Sequence, residues 1–161
     1  MDRATLLIVW HSRTGTAQAL ARAAAAGAQG RALLLPAEAV EPQHLLDAGG
    51  YLFACPENLA SMSGAMKEMF DRCYYPVLGR IEGRPYATII AAGSDGAGAE
   101  RQIDRIATGW RLRRVAEGWI VNTGAQTPDE ILAPKQVGEV ELERARELGA
   151  SLAEGIALGI F

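Results

Sequence analysis

Several things are scarce in this sequence, and each scarcity narrows the field. Only two cysteines, Cys55 and Cys73, occur in 161 residues. They form no CxxC pair, so neither a disulfide framework nor a thiolate zinc site organises the chain. Both read as buried thiols in a reducing compartment. The two histidines, His11 and His44, join no His/Cys/Asp/Glu group with metal-ligand spacing, so no metal is expected. No apolar run approaches the roughly 20 residues of a membrane span. Asp2 spoils the basic segment that a secretory leader needs, and no cleavage site follows the short apolar run. A cytoplasmic protein is expected, without membrane association. The net charge of −3 and pI near 5.4 lack the basic footprint of a nucleic-acid binder.

Hydrophobic residues make up 49% of the chain and charged residues 22%, which is ordinary globular composition. The apolar residues fall in a repeating order. Thr5–Trp10 is a short run that suits a strand buried on both faces. Ala17–Ala28 follows as an alanine-rich helix, small enough in side chain to lie close to a sheet. Arg31–Leu35 is a second strand. The stretch from Pro36 to Asp47 is a connection with one helical turn after Pro42. Tyr51–Cys55 is a third strand, halted by Pro56. Met66, Met69, Phe70 and Cys73 then recur at helical spacing, with Lys67, Glu68, Asp71 and Arg72 opposite. Tyr86–Ala92 is a fourth strand, and Ala99, Ile103, Ile106 and Trp110 mark a helix after it. Val115–Val121 is the fifth strand. A loop with Gly124, Pro128 and Pro134 leads to a helix carrying Val137, Val140, Leu148, Leu152 and Ile156.

Strand and helix thus alternate five times. Such alternation predicts an α/β fold: a five-stranded parallel sheet with helices on both faces and right-handed crossovers. The doubly wound strand order is 2-1-3-4-5, and the whole chain, 1–161, is expected to form a single domain. Ligands of such sheets sit outside the carboxyl ends of the strands, which directs attention to three loops.

The first is Ser12, Arg13, Thr14, Gly15, Thr16 and Ala17. It leaves a buried strand and opens a helix, where unpaired backbone N–H groups favour an anion. Three hydroxyls and a close-approach glycine exceed what an ordinary helix cap requires. No acidic residue is present to repel a phosphate. The second loop is Pro56, Glu57, Asn58, Leu59, Ala60, Ser61 and Met62, followed by Ser63-Gly64. It offers backbone amides and carbonyls, with Asn58 and Ser61 as polar partners and Leu59 or Met62 as apolar cover. The third is Gly93, Ser94, Asp95 and Gly96, within a GxxGxG run that lacks the GxGxxG spacing of a dinucleotide fold. It serves either a ligand or the next helix start. His11, beside the first loop, is a candidate for either a phosphate contact or a structural bond. Trp10, Trp110 and Trp119 read as packing residues, and Tyr74 and Tyr75 edge either a pocket or an interface.

The Ser12–Thr16 segment resembles the phosphate loop of the flavodoxin superfamily, S/T-x-T-G followed by a polar residue. Ala17 departs from it, standing where the family often has another hydroxyl. Met62-Ser63-Gly64 with Lys67, Phe70 and Asp71 is similar to the N-x-S-G-x-M/L-K-x-F-x-D stretch of NAD(P)H-dependent FMN reductases and of the tryptophan-repressor-binding-protein type of quinone oxidoreductase. The resemblance implies a flavodoxin-like sandwich with FMN as cofactor. Its phosphate would lie on residues 12–17 and its ring against residues 56–62 and 93–96. It further implies NADH or NADPH as electron donor and a quinone-like or other small-molecule acceptor. Catalytic side chains are not implied, because the flavin carries the chemistry. Related reductases often pair as homodimers, and the loop 122–135 is then a candidate interface.

Other uses of this topology fail on their sites. A phospho-receiver needs an acidic pair after strand 1 and an acceptor Asp ending strand 3, where this chain has His11-Ser12 and Cys55-Pro56. Neither cysteine is followed by the Arg of a Cys-x5-Arg phosphatase. There is no GxSxG elbow and no GxxxxGK[ST] loop. An electron-carrying flavodoxin that docks a protein partner remains the alternative. Carriers of that kind are usually much more acidic, because charge steers their encounters.

Overall fold

The computed structural model describes residues 5–161; the reading of Asp2 lies outside the described residues. Strands β1 (Leu6–Trp10), β2 (Ala32–Pro36), β3 (Gly50–Asn58), β4 (Ser61–Met62), β5 (Pro85–Ala92), β6 (Arg113–Arg114) and β7 (Trp119–Asn122) are joined by helices α1 (Thr16–Gly27), α2 (Pro42–Asp47), α3 (Gly64–Val77), α4 (Ala97–Gly109), α5 (Pro128–Leu132) and α6 (Glu139–Leu158). The main path of the sheet is β2-β1-β3-β5-β6, all parallel. β7 also pairs with β5 in parallel, and β4 pairs with β3. The expected α/β fold and doubly wound order are present, with β5 as the fourth main strand. Among the described residues the sheet has seven strands rather than five.

Two expectations need correction. Pro56 does not halt the third strand, which runs on to Asn58. Proline lacks a donor, but at Pro56 the strand still pairs with Ala91 of β5, and its carbonyl accepts from Ser63 N–H at 3.1 Å. The fifth strand is not continuous over Val115–Val121. It is split into β6 and β7, with residues 115–118 forming a loop.

Strand residues alternate between two hydrophobic layers, as a period of two requires. Leu7, Val9, Tyr51, Phe53, Cys55 and Ile90 join Met66, Phe70, Ile103 and Trp110 of the α3/α4 side. Leu6, Ile8, Leu52, Ala54, Ala87 and Ile89 join Leu20, Ala24, Ala145 and Leu152 of the α1/α6 side. The first layer is closed by rings: Phe53 meets Phe70 at 5.0 Å between centroids, and Phe70 meets Trp110 at 5.5 Å.

The second layer is closed by small residues. A Cβ on Gly149 of α6 would lie 1.9 Å from the Ala24 carbonyl oxygen, and one on Gly27 of α1 would lie 1.9 Å from the Arg146 carbonyl oxygen. The two helices therefore touch backbone to backbone, as the alanine-rich sequence of α1 allows. This contact sets the position of α1, whose N-terminus opens the candidate site.

Candidate functional site

β1, β3, β5 and β7 all end at one edge of the sheet, and their loops enclose a cavity of about 330 Å³. Ser12, Arg13, Thr14, Thr16 and Ala17 line one side. Pro56 to Ala60 line the next. Ala91, Ala92, Gly93 and Ser94 form the floor, and Thr123, Ala125, Gln126, Ile131 and Lys135 complete the enclosure.

The first loop is built around Gly15, which caps α1 at φ +114°, a conformation open to glycine. The Gly15 N–H donates to Ser12 Oγ at 3.1 Å, tightening the turn. The first intrahelical bond runs from Ala19 N–H to the Gly15 carbonyl, so the amides of Thr16, Ala17 and Gln18 lie at the open end of the helix. No residue of this loop is acidic. The chain thus carries amides, the Thr14 and Thr16 hydroxyls and the Arg13 cation together at a helix N-terminus, a donor set that fits a phosphate. Lys135 closes the loop from above: its N–H donates to the Thr14 carbonyl at 2.8 Å. Its ammonium caps α5 by donating to the Glu130, Ile131 and Ala133 carbonyls.

The second loop is a two-residue hairpin between β3 and β4. Its turn residues, Leu59 and Ala60, both have positive φ, 52° and 64°, the geometry of a primed turn that usually holds Asn-Gly. Leu59 is 100% exposed at the tip. The hairpin lies on α4. Glu57 accepts from Gly96 N–H at 2.8 Å and Ala99 N–H at 3.1 Å, capping a helix whose own cap residue is a glycine. Gln102 Oε1 accepts from Ser61 Oγ at 2.9 Å and Met62 N–H at 2.8 Å. A Cβ on Gly98 would lie 2.2 Å from the Ala60 carbonyl oxygen, so only glycine admits the hairpin at this distance.

The third loop is tied to residues 122–125. Asn122 Nδ2 donates to the Ser94 carbonyl at 2.8 Å, Thr123 N–H donates to the Ala92 carbonyl at 2.8 Å, and a Cβ on Gly93 would lie 2.7 Å from the Ala125 carbonyl oxygen. Asp95 accepts from Ala97 N–H at 3.2 Å and so serves the start of α4.

Most of the expected site residues therefore meet at one cavity. Gly15, Ser61, Met62, Asp95 and Gly96 do not line it. They shape the loops instead, through the bonds just described. Sequence reasoning missed the fourth wall, Thr123 to Lys135. The rule that ligands sit at the carboxyl ends of strands points to this segment as well as to the three loops. The 122–135 segment packs onto the Ser12–Ala17 loop of its own chain, where Lys135 N–H donates to the Thr14 carbonyl.

His11 is bonded rather than free: its Nδ1 lies 2.9 Å from Ser63 Oγ, and its N–H donates to the Ala54 carbonyl. It joins the end of β1 to the start of α3. Beside it, burial pushes the Cys55 thiol up to about 12, against the opposing hydrogen bonds from Ser63. Cys55 is thus an unreactive core thiol. Among the described residues no group of three or more His, Cys, Asp or Glu could hold a metal ion. No helix among them is long and apolar enough to cross a membrane.

The pattern of the NADPH-dependent FMN reductase family matches residues 36–126, more than half of the chain. The chain belongs to the NADPH-dependent FMN reductase family. The matched segment holds the hairpin, the third loop and part of the fourth wall. Among solved structures, this FMN-reductase-family chain superposes on a flavodoxin from the domain Archaea with a TM-score of 0.77 at 15% identity, covering 94% of this chain and 98% of that one. A flavodoxin, WrbA-like protein from Agrobacterium tumefaciens gives 0.74 at 17% identity, covering 96% and 98%. The flavodiiron protein from Giardia intestinalis gives 0.78 at 20% identity; 98% of this chain covers 37% of that longer chain. At such identities these likenesses establish the flavodoxin-like fold. No curated protein matches the sequence.

Proposed function

We propose that this family member is a single FMN-binding domain that oxidises NADH or NADPH and passes the electrons to a quinone-like or other small acceptor. The observation that carries this reading is the cavity. It has an acid-free helix N-terminus with open amides at one end and apolar, backbone-rich walls at the other. That arrangement fits a planar ring carrying a phosphate tail. When bound, FMN supplies two-electron acceptance from a reduced nicotinamide and donation to a second substrate.

The chain's own residues do the rest. The amides of Thr16, Ala17 and Gln18 and the hydroxyls of Thr14 and Thr16 hold the phosphate. Asn58 and the hairpin backbone orient the polar edge of the ring. Leu59 and Ile131, at the rim, cover apolar surface and exclude water. Glu57 holds the hairpin and the third loop at a fixed separation through α4. Among the described residues no aromatic side chain lines the cavity, which leaves one ring face for a second planar reactant. The homodimer implied by resemblance is part of the proposal, and sedimentation of the FMN-loaded protein tests it.

The deciding experiment is a visible spectrum of protein mixed with FMN, desalted, and treated anaerobically with NADPH and NADH. A retained flavin band that bleaches, and returns on adding a quinone, is expected. A retained band that neither nucleotide bleaches would point to an electron carrier instead. Loss of the band on desalting would overturn FMN as a resident cofactor.

A further inference from the structure

The fourth wall of the cavity is bonded mainly to itself. Residues 126–134 are all exposed, and α5 within them buries no residue. A helix of five residues does not hold in water on propensity alone, so the segment depends on its clasps. At the head, the Glu130 carboxylate accepts from the Gln126 and Thr127 N–H groups, at 2.8 and 3.3 Å. The Thr127 hydroxyl accepts in turn from Glu130 N–H at 3.2 Å. At the tail, the Lys135 ammonium folds back onto the Glu130, Ile131 and Ala133 carbonyls, at 2.7, 3.1 and 2.6 Å. Residues 126–135 thus form a small body closed at both ends, with the Lys135 charge engaged inside it.

The ties from this body to the rest of the chain are few. Ala125 is fixed just before it: the residue is buried, and a Cβ on Gly93 would meet its carbonyl oxygen at 2.7 Å. Val137 is fixed just after it, packed against the α1/α6 layer. Between these two points, among the described residues, one hydrogen bond crosses to the body of the domain, from Lys135 N–H to the Thr14 carbonyl at 2.8 Å. The Lys135 carbonyl oxygen also lies 3.5 Å from where a Cβ on Gly15 would stand. The tail therefore rests on the loop at the head of α1, while Gln126 and Ile131 line the cavity. One net hydrogen bond is a weak restraint, worth about fivefold in population.

We infer that residues 126–135 are a lid that swings as one body between Ala125 and Val137, latched by Lys135 N–H on Thr14, and that its opening admits and releases FMN. The inference rests on the flavin reading above. A lid closed on itself moves without losing its internal bonds, so opening breaks little more than the latch. When shut, it covers the loop expected to hold the phosphate and slows escape of the flavin.

The test is stopped-flow binding of FMN to the flavin-free protein, followed by polarisation of flavin fluorescence, with dissociation read on dilution. It compares wild type, Glu130→Ala, Lys135→Met and Gln136→Ala. Glu130→Ala opens the head clasp, and Lys135→Met opens the tail clasp while keeping the latch N–H. Gln136, exposed just beyond the segment, is the control. Circular dichroism should show every variant folded. A lid without a clasp frays, so its shut form is less populated with and without FMN. Both clasp variants should therefore raise the association and dissociation rate constants together, each about fivefold, with Kd little changed. The control should match wild type, and FMN should slow hydrogen exchange at the Lys135 amide. A rise in dissociation alone would make the segment a ligand contact and overturn the inference. Rate constants equal to wild type in both clasp variants would overturn it as well. So would exchange at 126–135 that slows with protein concentration and not with FMN, which would give this face to a second copy of the chain. Each of these results leaves the flavin reading standing. Wild type that binds no FMN would overturn both.

Discussion

Gly98→Ala should destabilise the protein, although helix propensity says the reverse. Replacing a helical glycine by alanine ordinarily stabilises by about 1 kcal/mol. At Gly98 the new Cβ would lie 2.2 Å from the Ala60 carbonyl oxygen. The obstacle is backbone, so no rotamer change relieves it. The hairpin tip must withdraw by more than 1 Å to reach ordinary contact at about 3.4 Å. The bonds from Ser61 and Met62 to Gln102, at 2.9 and 2.8 Å, do not survive that displacement. Each is worth about 1 kcal/mol, and more where a buried group loses its partner. The net result is a loss of about 1–2 kcal/mol, or a fall in Tm of about 3–6 °C for a chain of this size. Gly64→Ala is the matched control: it too sits in the first turn of a helix, but nothing lies within 4 Å of its added Cβ. Calorimetry should show Gly64→Ala at or above the wild-type Tm and Gly98→Ala below it. Hydrogen exchange should be faster at residues 57–62 in Gly98→Ala alone. If Gly98→Ala melts with or above the wild type, the hairpin is not held on α4 as described.

Gly15→Val forces a β-branched side chain to φ +114° at the head of α1; FMN retention on desalting should be lost while the circular dichroism spectrum is kept. Gly149→Ala should cost about 2 kcal/mol in urea unfolding, because overpacking against the Ala24 carbonyl outweighs the gain in helix propensity. Alkali should weaken the fold through Cys55, whose thiol is pushed up to about 12 in the native state from a usual value of 9.0. Between those values the unfolded chain releases a proton that the folded chain keeps, so stability falls as pH rises, by about 1.4 kcal/mol per pH unit. Cys55→Ala should show a shallower decline between pH 9 and 10 than the wild type, and equal slopes would refute the assignment.

The alternation of strands and helices is legible in the sequence because each strand feeds two apolar layers and each helix keeps one apolar stripe. The place of the Ser12–Ala17 loop at the cavity is legible for a different reason: it leaves a strand and opens a helix, at the sheet edge where ligands of this architecture sit. The hairpin is not legible. Leu59 and Ala60 give no signal of positive φ, since that conformation is imposed by Gln102 and Gly98, about forty residues further along. Glu57 lies in the loop expected to meet a ring, yet its carboxylate is spent on the amides of α4, a long-range contact that local spacing does not encode. The break between β6 and β7 is likewise set from a distance. Gly118 and its neighbours loop out around the Glu100 side chain, where Val115–Val121, interrupted by Glu117 and Gly118, reads as one strand.

The backbone contact between α1 and α6 has a consequence for biosynthesis. Gly27 leaves the ribosome more than a hundred residues before its partner Arg146, and Ala24 waits as long for Gly149. Until α6 is made, α1 can lie on the sheet through Leu20 and Ala24 but lacks the backbone contact that holds its other side. Local pairings such as β1 with β2 can form early, but contacts this far apart in sequence form late. The cavity at the head of α1 is thus completed only after α6 has emerged, so any flavin capture follows that step instead of guiding it. A nascent chain stalled before α6 would display the whole phosphate-loop sequence and still leave the flavin in solution.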